Sequence, residues 1–279
     1  MQVSERESSL YEKWIKIFSE QIEKKYPEII EKQRIKLAQE NARYLVSVFT
    51  PSTIMEYTVS FRQLNYIASF FENYIKNEEN TEFNKLLKPY LKEFNEQIKD
   101  LLVPELNANT KQRKISLFAS RNYMEEFGEC YSCNYEGTFA ELAQAQRHRT
   151  LRYNMKIEGE PKFYIPKIIE NDEELKSDWL KDINSLKDLF PQGMLVKINE
   201  RGTVEDFILK CKERLCGCAQ LEIMLQTKEI LDKYIENTKN TNKYVYEYLL
   251  PYETGVRCTF KGWKCARPCI WGTKNSLTR

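Results

Sequence analysis

Residues 143–150, Ala-Gln-Ala-Gln-Arg-His-Arg-Thr, place the chain's one histidine, His148, between Arg147 and Arg149. Two permanent cations beside an imidazole disfavour its protonated form, so the ring is expected to be neutral near pH 7. Three donor-rich side chains in a row suit an anionic ligand. Gln144, three residues before Arg147, adds an amide able to pair with a pyrimidine-like edge. At helical spacing Gln144, Arg147 and His148 share a face while Arg149 points elsewhere, which would let the two arginines serve different ligands. A solvated charge run at a helix C-terminus, where cations favour the dipole, would use the same residues without any ligand.

The eight cysteines are the second reactive set. They fall in three groups: Cys130 with Cys133, then Cys211, Cys216 and Cys218, then Cys258, Cys265 and Cys269. With a single histidine, any zinc or iron-sulfur site must rest mainly on thiolates. The tail Val-Arg-Cys-Thr-Phe-Lys-Gly-Trp-Lys-Cys-Ala-Arg-Pro-Cys-Ile-Trp-Gly sets Cys258, Cys265 and Cys269 among Gly, Pro and Trp, a turn-rich setting for metal, although its spacing matches no standard finger. Free buried thiols that behave as small hydrophobes are the competing reading and the expected one, so no metal is assigned.

The rest of the composition narrows the partners. Forty-three Lys and Arg against 41 Asp and Glu leave a net charge of +2, too even for a general nucleic-acid or membrane surface, so anion binding must be local. No apolar run approaches the roughly 20 residues that cross a bilayer, and the N-terminal stretch lacks the apolar core of a signal peptide. A cytoplasmic location with reduced thiols is expected.

These residues need elements to hold them. Tyr11, Trp14, Ile15, Phe18 and Ile22 recur at helical spacing, Pro27 is expected to open a second helix towards Asn41-Ala42-Arg43, and Thr58 to Ile75 repeats the amphipathic pattern. From Lys114 the texture changes. Lys-Ile-Ser-Leu-Phe-Ala-Ser, Glu-Cys-Tyr-Ser-Cys-Asn-Tyr-Glu-Gly, Pro-Lys-Phe-Tyr-Ile-Pro-Lys-Ile-Ile and Gly-Met-Leu-Val-Lys-Ile-Asn-Glu-Arg-Gly read as strands, the last followed by one long helix from about Thr203 towards Thr238. Thr138 with Glu141 forms a capping-box pattern that starts the helix leading to His148. The expected fold is α+β, long amphipathic helices packed with a small, mostly antiparallel sheet. A helical region, residues 1–110, precedes an α+β unit, 111–279, with the change near 105–114.

The stretch Tyr135 to Thr150 resembles the signature helix of the flavin-dependent thymidylate synthases, with a glutamine three residues before Arg-His-Arg. Two more segments are similar to that family. Glu40 to Leu64, with "NARYL" and "TVSFRQL", supplies Arg43 and Arg62, and "KERLCGCAQLEI" supplies Arg214 followed by Ala-Gln-x-Glu-Ile. Their order differs, because the family places its Arg-His-Arg helix first. Residues 1 to about 105 resemble the second half of one synthase-like unit and residues 114–279 a second, diverged unit. Asn154 fits the pattern after the triplet, whereas Met155 and Ile157 replace a glutamate and a serine.

The resemblance implies reductive methylation of dUMP to dTMP, with methylenetetrahydrofolate as carbon donor and FAD, reduced by NADPH, as hydride carrier. It implies Arg147 and Arg214 as catalytic, Gln144, Arg147, Arg214 and Arg43 at the nucleotide, and His148, Arg149, Asn154 and Arg62 at FAD. Arginine's planar, always charged fork suits phosphate or an anionic uracil. A homo-oligomer is implied, since the family builds its sites between subunits. The alternative is a catalytically silent relative that keeps a nucleotide pocket or a metal-stabilised scaffold.

Overall fold

The computed structural model describes residues 5–51, 56–106, 131–266, 269–271 and 277. Helix α1, Glu5–Lys25, forms where the apolar residues recur every four positions, with acidic residues in its first turn and Lys24 and Lys25 in its last. Its buried stripe is Trp14, Phe18 and Ile22. Helix α2 is Glu31–Ala42 and runs into a 3-10 turn, Arg43–Leu45. Pro27 does not open it: the chain turns through residues 27–29 and the helix begins at Glu31. Helix α3, Phe61–Asn77, is capped by Ser60, whose hydroxyl accepts the Gln63 N–H at 3.2 Å, and packs against α4, Glu82–Ile98.

Three strands make one antiparallel sheet in the order β1-β3-β2: β1 Tyr131–Thr138, β2 Arg152–Lys156 and β3 Leu195–Gly202. Asn134, Asn199 and Asn154 lie in one row across it. With the helices α5 (Phe139–Ala145), α6 (Glu173–Asn184), α7 (Val204–Arg214), α8 (Leu221–Thr238) and α9 (Lys243–Leu249), the fold is α+β, as the sequence predicts.

Several expectations need correction. Residues 161–169 are not a strand. Phe163 makes one isolated bridge to Met194, and Lys167–Ile169 then forms a 3-10 turn, because Pro161 and Pro166 lack the N–H groups that a ladder requires. The helix after Thr203 is two helices, interrupted at Leu215 by a turn through Cys216, Gly217 and Cys218. Strand β2 was not anticipated. The predicted strand at 114–120 and the change of texture at 105–114 fall largely outside the described residues.

Two apolar cores result. One lies between the sheet and α5, α7, α8 and α9, with Tyr153, Ile198, Phe207, Cys211 and Leu231 at its centre. The other joins α1, α2 and the Arg43–Leu45 turn to α6, Ile169 and Trp271. Trp14, Phe18 and Trp179 form its aromatic heart, with ring centroids 4.9–5.4 Å apart, and the Trp14 indole donates to Asp182 at 2.9 Å. Elements from both sequence regions therefore share this core.

Helix α7 has a complete capping box: the Thr203 hydroxyl accepts the Asp206 N–H at 3.2 Å and the Asp206 carboxylate accepts the Thr203 N–H at 3.0 Å. Thr203→Ala removes an acceptor from the first turn, and a loss of about 1 kcal/mol is expected in urea denaturation. Unchanged stability would mean that water replaces the hydroxyl.

Candidate functional site

The Arg-His-Arg triplet does not lie on a helix. Helix α5 ends at Ala145, and residues 146–150 form a turn leading into β2, held by His148 N–H to Ala145 O at 2.9 Å and Leu151 N–H to His148 O at 3.1 Å. The division of Arg147 and Arg149 by helical phase therefore lapses. Both are exposed in the turn, while His148 between them is buried.

What holds His148 comes from elsewhere in the chain. Arg214, the last residue of α7, donates through Nε to His148 Nε2 at 2.7 Å and through Nη2 to the Gln144 carbonyl at 2.9 Å. Burial first, then the Arg214 charge and that of Lys210, lower the His148 pKa to about 4. The neutral ring expected from the sequence is found, but desolvation and Arg214 cause it rather than the flanking arginines.

A polar chain extends from this clamp. The Gln144 side-chain amide donates to the side-chain Oε1 of Gln220, and the Gln220 side-chain amide donates to the Tyr44 hydroxyl. Tyr44 donates to Glu222 at 2.8 Å, and the same carboxylate accepts from Thr138 N–H at 3.0 Å and Thr138 hydroxyl at 2.8 Å. The predicted capping box at Thr138 is thus only half formed. Thr138 accepts the Glu141 N–H, but its own N–H goes to Glu222, which displaces the Glu141 carboxyl. That carboxyl lies fully buried above Gly137, where an added Cβ would come within 1.9 Å of its Oε2.

Two buried carboxyls so close change one another. Burial raises the Glu222 pKa to about 7 even against its hydrogen bonds to Thr138 and Tyr44. Burial and then the Glu222 charge push Glu141 well above the usual carboxylate range, partly opposed by Lys210. A second buried set adjoins: Lys210 Nζ lies 2.5 Å from Glu200 Oε2, both side chains fully buried, and Tyr131 and Tyr135 donate to the same carboxylate at 2.9 and 3.2 Å. The sequence reading missed the buried carboxyls Glu141 and Glu222 and the buried Glu200–Lys210 ion pair. A signal existed, since Glu200 shares the inward parity of Val196 and Ile198 on β3, and Lys210 lies one turn from Phe207 on α7.

The remaining predicted residues are placed as follows. Arg43 donates through Nε and Nη2 to Gln192 Oε1 at 3.4 and 3.2 Å, and the Gln192 carbonyl accepts the N–H of Ala140 on α5. Arg62 is exposed on α3. Asn154 lies in the asparagine row of the outer sheet face, beside a recess of about 560 Å3 that Lys156, Lys197 and Glu158 also line. Gln144, His148, Arg214 and, through Gln192, Arg43 therefore come together, whereas Arg62 lies exposed on α3 and Asn154 on the sheet beside the recess. Behind Gln220 and Tyr44 is a narrow cavity of about 50 Å3, lined also by Asn41, Lys167, Tyr164 and Trp271.

Comparison of the chain with protein-family models, curated proteins and solved structures finds no match. No helix among the described residues is long and apolar enough to cross a membrane.

Proposed function

We propose that this chain carries a nucleotide site of the flavin-dependent thymidylate synthase kind, converting dUMP to dTMP with methylenetetrahydrofolate and NADPH through FAD. One observation carries the reading: the three segments that resemble the family, distant in sequence, meet in one hydrogen-bonded cluster. Tyr44 comes from the first, Gln144 and His148 from the second, and Arg214, Gln220 and Glu222 from the third.

On this reading Arg147, exposed beside the clamp, takes the phosphate or the anionic uracil, and Arg214 fixes the turn that presents it. Arg43, with a charge that favours the ionised form of Glu222, supports the same region. FAD would supply the hydride. Among the described residues its proposed contacts, His148, Arg149, Asn154 and Arg62, do not line one recess, and the His148 ring is already engaged by Arg214. The described residues of one chain therefore do not fit the flavin. The proposal requires a homo-oligomer in which a second copy completes that site, in a cytoplasmic setting that keeps the thiols reduced.

A second reading, a silent nucleotide-binding relative, has its own support. Two of the donor nitrogens of Arg214 are already spent on His148 and Gln144, which leaves that side chain less to offer a substrate.

Two titrations separate these readings: FAD followed by flavin fluorescence, and dUMP followed by calorimetry. Saturable binding of both is expected for the synthase, and dUMP alone for the silent relative. Arg147→Ala should weaken dUMP by about ten- to a hundred-fold, the roughly 1.5 to 3 kcal/mol of a charge-assisted contact, with FAD retained, whereas Arg149→Ala should weaken FAD. Arg147→Lys should recover little, because an ammonium lacks the fork. If the parent binds neither ligand, both readings fall and the triplet is a solvated charge run.

A further inference from the structure

The hairpin made by α3 and α4 has two unlike sides. One is a polar groove of about 420 Å3, lined by Asn65, Ser69, Glu72, Lys92, Asn95 and Glu96. On the other side, at the spacing of three and four residues that puts side chains on one helix face, stand Leu64, Ile67 and Phe71 of α3 and Leu87, Leu91 and Phe94 of α4. The Phe71 and Phe94 rings meet across the hairpin at 5.3 Å, which joins the two stripes into one apolar surface.

None of these six residues is buried, neither apolar core includes them, and Phe94 keeps 37% of its surface exposed. Among the described residues α3 packs chiefly on α4 and on the 3-10 turn Pro104–Leu106. The outer flank of α4 reaches the body of the protein through Phe83, whose ring lies 5.9 Å from Phe139 and 5.2 Å from Phe190. Amphipathic helices draw most of their stability from packing of the apolar face, so a hairpin whose face stays half open is incomplete by itself.

We propose that this face pairs with the same face of a second copy of the chain, two hairpins closing into an antiparallel four-helix bundle about a two-fold axis. Charge favours a copy over an unlike partner. The two helices carry five basic side chains, Arg62, Lys76, Lys85, Lys88 and Lys92, and four acidic ones, Glu72, Glu82, Glu93 and Glu96, so no excess of one sign selects an opposite surface. Along α4, Glu82, Lys85 and Lys88 sum to +1 and Lys92, Glu93 and Glu96 sum to −1. An antiparallel twin sets each half beside its complement and opposes the helix dipoles. Size agrees. Each helix has 17 residues and is therefore about 25 Å long, and two side by side span about 20 Å. A face on the order of 500 Å2 on each copy buries about 1,000 Å2 in all, the lower bound of a specific interface. A single added helix would cover only part of that width. This inference rests on the hairpin and not on the nucleotide reading, although a second copy is what that reading requires.

The full chain tests it without any ligand. Sedimentation velocity and light scattering at micromolar concentration should find a dimer that dissociates on dilution. Ile67→Glu and Phe94→Glu should each weaken self-association by about thirty-fold or more, as loss of a central interface residue does, with the far-UV circular dichroism unchanged. Ser69→Lys, in the polar groove, should leave the dimer intact. If the apolar-face variants fold poorly, the parent decides alone: hydrogen exchange in α3 and α4 should quicken on dilution while that in α8 stays constant. A chain that is monomeric at every concentration overturns the proposal, and slow exchange of α3 and α4 in that monomer would mean that the chain covers the face itself. A dimer that survives both variants, with α3 and α4 exchange independent of dilution, places the interface elsewhere and overturns it as well.

Discussion

Lys210→Met is expected to cost about 3 to 5 kcal/mol, because it leaves the Glu200 carboxylate buried without its cation. Both side chains are fully buried, and the Tyr131 and Tyr135 hydroxyls that also donate to Glu200 are neutral groups that cannot balance a charge. For a domain whose whole stability is about 5 to 15 kcal/mol, this is a large share. The double variant Glu200→Leu/Lys210→Met removes both charges and should recover most of the loss. A double-mutant cycle by urea denaturation reads the coupling directly. A loss below about 1 kcal/mol would show that the pair does not set the stability of this core.

The second large effect is a dependence on pH centred on Glu222 and Glu141. Both carboxyls have pKa values raised in the folded chain, Glu222 to about 7, with burial as the main cause and each near enough to influence the other. Between the ordinary carboxylate pKa and about 7 the folded state holds a proton that the unfolded state has released. Stability contributed by that proton is complete below the unfolded pKa and declines as pH rises through 7, by an amount on the order of 3 kcal/mol for Glu222. Glu141 extends the decline to higher pH. Glu141→Gln keeps a neutral group of the same shape and removes the second charge. It should stabilise the chain at pH 8, leave it nearly unchanged at pH 5, and flatten the slope between them. Thermal melts across that range check this, and parallel curves for parent and variant would show that Glu141 does not titrate with Glu222.

Much of the scaffold can be read from local pattern. Helix α1 declares itself through Trp14, Phe18 and Ile22, and β1 and β3 through alternation, because each feature depends on residues within one or two turns of each other. The misreadings share another cause. The half-formed cap at Thr138 depends on Glu222, 84 residues away, and the neutral His148 depends on Arg214, 66 residues away. Strand β2 exists because β3 offers it an edge, not because Arg152–Lys156 prefers extension. The break after Arg214 is a local event that Gly217 could have signalled. Within the candidate site, the sequence identifies Arg214 and Gln144, but their roles as a clamp on one another's turn emerge only from the fold.

The aromatic heart around Trp14 also has a consequence for how the chain is made. The partner of its indole, Asp182, lies 168 residues downstream. At a synthesis rate of roughly 5 to 20 residues per second, α1 waits on the order of ten to thirty seconds with Trp14, Phe18 and Ile22 uncovered before α6 emerges. A greasy helix left uncovered on a nascent polypeptide is a natural client for a chaperone at the ribosome exit, and slow translation upstream of Asp182 would lengthen its exposure.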